Sequence, residues 1–282
     1  MNGSKQFGRS YVLRIGNKKE SIEIRDLRIS FSCVKSLTAE PNPAELNIYN
    51  LNESSRNRIT SGEFNQVFLM VGYGNELGLV FAGDIINPVM RKDDTDWITT
   101  LECGDGHKEM NKARTNVTIK GGTGQKDVIN ILKKDMGKDQ KSGIVSVDNS
   151  NALPRSKTMI GKTSKYVTNI ARNNNADWSI QDGELVILPK DEAIDDKSGF
   201  VLAQDTGMIG SPEKSDSGIE VTCLLNTNIR PGSLIRIESI IKEYSGGFKV
   251  TDVEITGDSH SDEWYSHITC IGGKFQNANA KK

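Results

Sequence analysis

The strongest constraint on the fold of this 282-residue chain is that its last part repeats its first. Phe81 and Phe248, Trp97 and Trp264, and Cys103 and Cys270 all stand 167 positions apart. In that ungapped register the apolar run 67–70 falls on 234–237, Asp96 on Glu263, Thr99 on Ser266 and Leu101 on Ile268. Upstream, Asn50-Leu51-Asn52 matches Leu224-Leu225-Asn226 at 174, so the first copy carries seven additional residues. The chain has three tryptophans and four cysteines, and two of each fall into register. Chance similarity between β-rich segments explains such agreement poorly. The spacing predicts two copies of one unit around a different middle.

Both copies read as strands. Tyr11, Leu13 and Ile15 alternate with polar or smaller neighbours, then Gly16-Asn17-Lys18 turns the chain into Ser21-Ile22-Glu23-Ile24. Further strands are predicted at 44–49, 67–73, 79–83 and 97–103, and again at 219–225, 234–240, 248–255 and 264–271. The middle differs. Val128, Ile131, Leu132 and Met136 have helical spacing, with Thr123 as cap and Gly137 as stop. A second helix carries Tyr166, Val167, Ile170 and Ala171. Asp182-Gly183 between alternating apolar residues predicts a tight hairpin. The expected fold class is therefore β-rich α+β: a β-barrel in residues 1–106, an α+β region in 107–215 and a second barrel in 216–274. Strands from the middle region complete the second barrel where needed. Residues 275–282 are expected to form a polar, disordered tail.

Composition excludes several functions. The 36 basic and 37 acidic residues leave a net charge of −1, without the basic excess that phosphate-dominated nucleic-acid binding requires. No apolar run approaches the roughly 18 residues of a membrane helix, and the N-terminus lacks the apolar core of a signal peptide. A soluble, unexported protein is expected. Cys33, Cys103, Cys223 and Cys270 lie far apart in apolar surroundings, without a CxxC pair. They are expected to be buried free thiols, with a long-range disulfide as the alternative.

No catalytic constellation stands out. Gly161-Lys162-Thr163 resembles the end of a phosphate-binding loop, but Ser156 occupies the position where the earlier glycine belongs. Gly121-Gly122-Thr123-Gly124 lacks the Gly-Lys-Ser/Thr ending and reads as a flexible boundary. Asp258, His260 and Asp262 alternate, as ligands on one strand face would, and offer a metal-dependent hydrolase as the alternative function. Against that, the corresponding segment of the first copy, 92–96, is acidic and has no histidine, so a polar turn is the simpler reading. Neither catalytic, cofactor-binding nor metal-binding residues are assigned.

The series 44–51 (Ala-Glu-Leu-Asn-Ile-Tyr-Asn-Leu), 80–85 (Val-Phe-Ala-Gly-Asp-Ile) and 97–106 (Trp-Ile-Thr-Thr-Leu-Glu-Cys-Gly-Asp-Gly) resembles baseplate hub proteins of contractile-tailed phages. These belong with the late control protein D family and the hub part of type VI secretion spikes. The C-terminal copy carries a similar signature in Cys223-Leu224-Leu225-Asn226, Pro231-Gly232, Gly247-Phe248-Lys249-Val250, Gly257-Asp258 and Glu263-Trp264. The resemblance spans residues 11–272. It implies a non-enzymatic homotrimer whose two tail-tube-like barrels per chain give pseudo-sixfold symmetry. Such a ring would join a hexameric tail tube, or its initiator protein, to a trimeric spike. It would also contact other baseplate proteins and pass DNA without binding it. The expected location is the virion tail baseplate, after assembly in the host cytoplasm. A spike needle or cell-wall enzyme would be a separate protein.

Two sets of residues follow from this reading. Phe81, Trp97, Leu101 and Cys103, with Phe248, Trp264, Ile268 and Cys270, are expected to form equivalent cores in the two repeats. Each tryptophan precedes its cysteine by six residues and so shares a strand face with it. The turn residues Asn75, Glu76 and Leu77, with Ser245 and Gly246 at the matching place, are the candidate subunit contacts by analogy with the family.

Overall fold

The structure is a computed structural model that describes residues 8–137, 141–148, 152–194, 200–216 and 218–278. The first part contains β1 (Arg9–Gly16), β2 (Ser21–Ile24), β3 (Ile29–Ser36), β4 (Asn42–Tyr49), α1 (Glu53–Thr60), β5 (Gln66–Tyr73), β6 (Glu76–Asp93) and β7 (Asp96–Asp105). The middle contains α2 (His107–Lys112), β8 (Arg114–Ile119), α3 (Gln125–Met136), β9 (Lys141–Val145), β10 (Lys157–Lys162), α4 (Thr163–Asn173), β11 (Ala176–Gln181), β12 (Glu184–Pro189) and β13 (Glu192–Ala193). The last part contains β14 (Phe200–Leu202), β15 (Met208–Ser215), β16 (Gly218–Leu224), β17 (Leu234–Ile237), β18 (Gly246–Asp258), β19 (Trp264–Gly272) and β20 (Gln276–Asn277).

Alternation explains the strands. In β4, Ala44, Leu46 and Ile48 are buried while Pro43 and Glu45 face solvent. Pairing then assembles a 13-stranded sheet in which one connectivity occurs twice. The run β3-β4-β7-β6-β5 has its counterpart in β15-β16-β19-β18-β17, antiparallel throughout. Antiparallel pairing of β18 with β3 joins the runs. Their flanks differ, since β1 pairs antiparallel with β5 whereas β14 pairs parallel with β17. Among the described residues the ladder does not close, so the two separate barrels expected are instead one open sheet. A single apolar cluster, including Phe31, Leu46, Phe81, Leu101, Ile235, Trp264 and Ile268, runs through both halves. Neither run buries its apolar face alone.

The ladders also revise the residue correspondence. Cys103 pairs with Ile85, and Cys270 with Val250, and β6 and β18 each bulge immediately afterwards. The cysteines are 167 apart, but their partners are 165 apart. The cause is hairpin length: four residues separate the paired Lys92 and Trp97, and six separate Gly257 and Trp264. Phe81 therefore corresponds to Gly246, and Gly83 to Phe248. On β5 and β17 the buried pairs Val67/Leu69 and Ile235/Ile237 match at 168. Phe68, which the 167 register places on Ile235, is exposed.

The middle region has its own core, including Met110, Leu132, Val167, Trp178 and Ile187. Its α3 begins after Gly124, and the hydroxyl of Thr123 donates to the Lys120 carbonyl instead of capping the helix. Ile129 lies in this core, whereas Ile131 is only half-buried against it. At the predicted hairpin turn, Asp182 and Gly183 both have positive φ, +52° and +78°, as a two-residue type I′ turn requires. Although β14 and β15 fall before residue 216, both belong to the large sheet. The expected disorder of the tail is corrected for 276–278: β20 pairs in parallel with β13, and Ala278 is buried. Residues 279–282 lie outside the described ones.

Candidate interaction surface

One face of the large sheet points away from the shared core and is acidic. Across the neighbouring strands β16, β19, β18, β3, β4 and β7, the exposed outward positions include Glu220, Glu254, Glu45 and Glu102. The only lysine or arginine side chains in those strands are Lys35 and Lys249, and both are buried where the middle region docks. Glu45 stands directly opposite Glu102 in the β4–β7 ladder. Like charges in such a pair repel, so folding stability alone does not favour the arrangement. The carboxylates are held by neutral donors. Ser32 Oγ reaches Glu254 at 2.8 Å, Asn87 Nδ2 reaches Glu102 at 3.0 Å, and Asn47 Nδ2 reaches Glu45 at 3.2 Å.

The loops singled out from the sequence lie at the β5–β6 and β17–β18 hairpins. Asn75 and Glu76 are exposed and Leu77 is half-buried. Asn75 and Leu77 line a cavity of about 490 Å³ together with Arg9, Asp26 and His260, so this turn faces the β18–β19 turn of its own chain. Ser245 Oγ donates to the Ser239 carbonyl and accepts the Ser239 N–H, each at 3.0 Å. Those two bonds close a loop over 238–245 whose tip presents Ile240, 81% exposed, beside exposed Ile241. The two loops thus differ in size and chemistry although they join corresponding strands.

The Asp258–Asp262 segment is a tied turn. Arg28 Nη2 donates to Asp258 Oδ2 at 2.7 Å, and the His260 N–H donates to Asp258 Oδ1 at 2.8 Å. Arg9 donates to the carbonyls of Ser261 and Asp262. Burial works against ionisation of Asp258, but Arg28 and the His260 N–H outweigh it and hold the carboxyl below its usual range. With Asp258 so engaged, the hydrolase alternative has no support from the geometry. Among the described residues no group of three His, Cys, Asp or Glu side chains is placed to hold a metal ion.

Of the eight proposed repeat-core residues, Phe81, Leu101, Cys103, Phe248, Trp264, Ile268 and Cys270 are buried. Trp97 is not. It is 40% exposed, with the Arg56 guanidinium 4.5 Å from its ring centroid. The reason lies on the paired strand. Trp264 faces Gly257, where a Cβ would come within 2.7 Å of the indole, whereas Trp97 faces Lys92.

Comparison with known proteins places this geometry. The model of the family described as baseplate hub gp41 matches residues 10–270. The chain belongs to that family. Among solved structures, this baseplate hub family member is similar to the 43 kDa tail protein of prophage MuSo2 from Shewanella oneidensis. That match has a TM-score of 0.65 at 11% identity and covers 97% of this chain and 99% of the other. A tail protein from Neisseria meningitidis MC58 has a TM-score of 0.65 at 13% identity, covering 94% and 97%. An Escherichia coli component of the type VI secretion system has a TM-score of 0.60 at 12% identity, covering 93% and 78%. At these identities the likeness is one of fold. No curated protein sequence matches the chain. The relevant geometry of a baseplate hub is its surfaces, and two of them escaped the sequence reading. The acidic row joins strands from both ends of the chain, and no linear spacing reveals it. The Ile240-Ile241 pair is an apolar doublet in the sequence, and the strand expected over 234–240 includes only its first residue.

Proposed function

We propose that this baseplate hub protein assembles as a ring of three chains, each contributing a duplicated unit, and that the acidic sheet face lines a passage for DNA. The observation that carries the proposal is the row Glu220, Glu254, Glu45 and Glu102, spread over both strand runs without an exposed lysine or arginine in those strands. A phosphodiester backbone meeting such a wall finds no cation for which to exchange its counterions, so it slides without adhering. The recurrence of one strand order supports the duplication, and two units in each of three chains would match a sixfold tube to a threefold spike. The partners in this reading are the tail tube or its initiator, a spike protein and other baseplate proteins, in a virion tail assembled in the host cytoplasm. The loops at Asn75-Glu76-Leu77 and Ser245-Gly246 are the proposed subunit contacts. The role is structural, not enzymatic.

Light scattering of the purified protein with its spike should give an assembly containing three chains of 31.0 kDa each. Monomer alone under those conditions overturns the ring. The acidic face is tested by Glu45→Lys, Glu102→Lys and Glu254→Lys combined. The assembled variant should gain salt-dependent binding to double-stranded DNA that the parent lacks, and absence of that gain argues against this face as the wall of the passage.

A further inference from the structure

The middle region docks on the large sheet through buried polar side chains. The β11–β12 turn is inserted at the ends of β3, β4 and β7. Asp105 at the end of β7 accepts the backbone N–H of Asp182, and more distantly that of Gly183 at 3.4 Å. Lys35 Nζ on β3 lies 2.6 Å from Asp182 Oδ2, and Asn42 Nδ2 on β4 donates to the Ile180 carbonyl at 3.0 Å. Asp105 is 3% exposed and Lys35 is 4% exposed. Asp182 Oδ1 is buried without a hydrogen-bond partner.

The charges do not balance. Two carboxylates share one ammonium in a buried site, so ionisation of both leaves an uncompensated negative charge. A cavity of about 680 Å³ beside them is lined by Lys18, Asp84, Asp105, Lys108, Glu109 and Asp182. In that group Lys108 is already paired with Asp84. The geometry points to a proton-controlled latch: a proton on Asp105 holds the β11–β12 turn against the sheet, and its loss loosens the middle region. Protonation removes the excess charge and brings a hydroxyl donor into the site that contains the unpartnered oxygen of Asp182. Burial, reinforced by the charge of Asp182, pushes the Asp105 carboxyl up to about 8.

The sign follows from linkage. The docked state binds the Asp105 proton more tightly than an undocked, solvated state does. Docking therefore weakens as pH rises from the ordinary carboxyl range to about 8, and levels off above it. Between those limits the undocked population should rise about tenfold per pH unit.

Hydrogen exchange from pH 5.5 to 9.5, corrected for the intrinsic base dependence, reads this population directly. Protection of the amides in 176–189 should fall steeply with pH, flatten near pH 8 and stay level relative to β4 and β7 amides. Asp105→Asn should abolish the slope. Equal slopes in variant and parent, or a parent profile without a slope, overturn the latch. If the variant fails to fold, the carboxyl carbon resonance of Asp105 in the parent decides: a midpoint near 8 supports the latch, and one below 6 overturns it.

Discussion

The ring of Phe31 meets the indole of Trp264 edge-on, with centroids 5.4 Å apart and planes at 77°. Phe31 lies on β3 and Trp264 on β19, so the contact crosses β18 and ties the two strand runs together. Truncating Trp264 to alanine should cost about 3–5 kcal/mol, as for other buried aromatic residues. Trp97→Ala should cost only about 1 kcal/mol, because it removes a half-exposed ring and one cation–π contact. Urea unfolding of both variants checks the difference. Equal losses would contradict the asymmetry between the two strand runs.

Gly83 should be intolerant of a side chain. A Cβ there would stand 2.6 Å from Phe81 Cζ and 2.8 Å from the Gly104 carbonyl oxygen. Gly83→Ala should destabilise by about 1–3 kcal/mol through overpacking. Gly247→Ala has open space around its Cβ and should stay within about 1 kcal/mol of the parent. Melting temperatures of the pair provide the comparison.

The Asp258 turn should contribute to acid sensitivity. Its carboxyl is held below the usual range in the folded chain, so its stabilisation is present above the unfolded pKa of about 4 and disappears as pH falls through the folded value. Arg28 is partly exposed, which limits the effect of Asp258→Asn to about 1 kcal/mol at pH 7. Stability measured between pH 2 and 7 should fall less steeply for the variant than for the parent.

All four cysteines are free and buried. Burial pushes Cys33, Cys223 and Cys270 up to about 12, and raises Cys103 as well. Native protein should therefore react slowly with a thiol reagent at pH 7, and unfolding should release four equivalents. Rapid labelling of the native chain would contradict this burial.

The strand-rich ends, the two central helices and the Asp182-Gly183 turn are legible in the linear sequence. These features depend on alternation, helical spacing and local φ preference, which act over a few residues. The 167-residue spacing of Trp97/Trp264 and of Cys103/Cys270 likewise falls on matching positions of β7 and β19. Tertiary structure decided the rest. Two more residues in the second hairpin shift β18 against β6, exchanging the places of phenylalanine and glycine: Phe81 and Gly83 in one run, Gly246 and Phe248 in the other. Pairing of β18 with β3 merges two expected barrels into one sheet, and Gly257 opposite Trp264 buries one tryptophan where Lys92 leaves the other exposed. The same pairing puts Glu254 on one sheet face with Glu45 and Glu102, across the intervening β3, while docking of the middle region puts Lys35 against Asp182. These relationships join residues from distant parts of the chain, and only the assembled strand ladder and the packed core specify which of them meet.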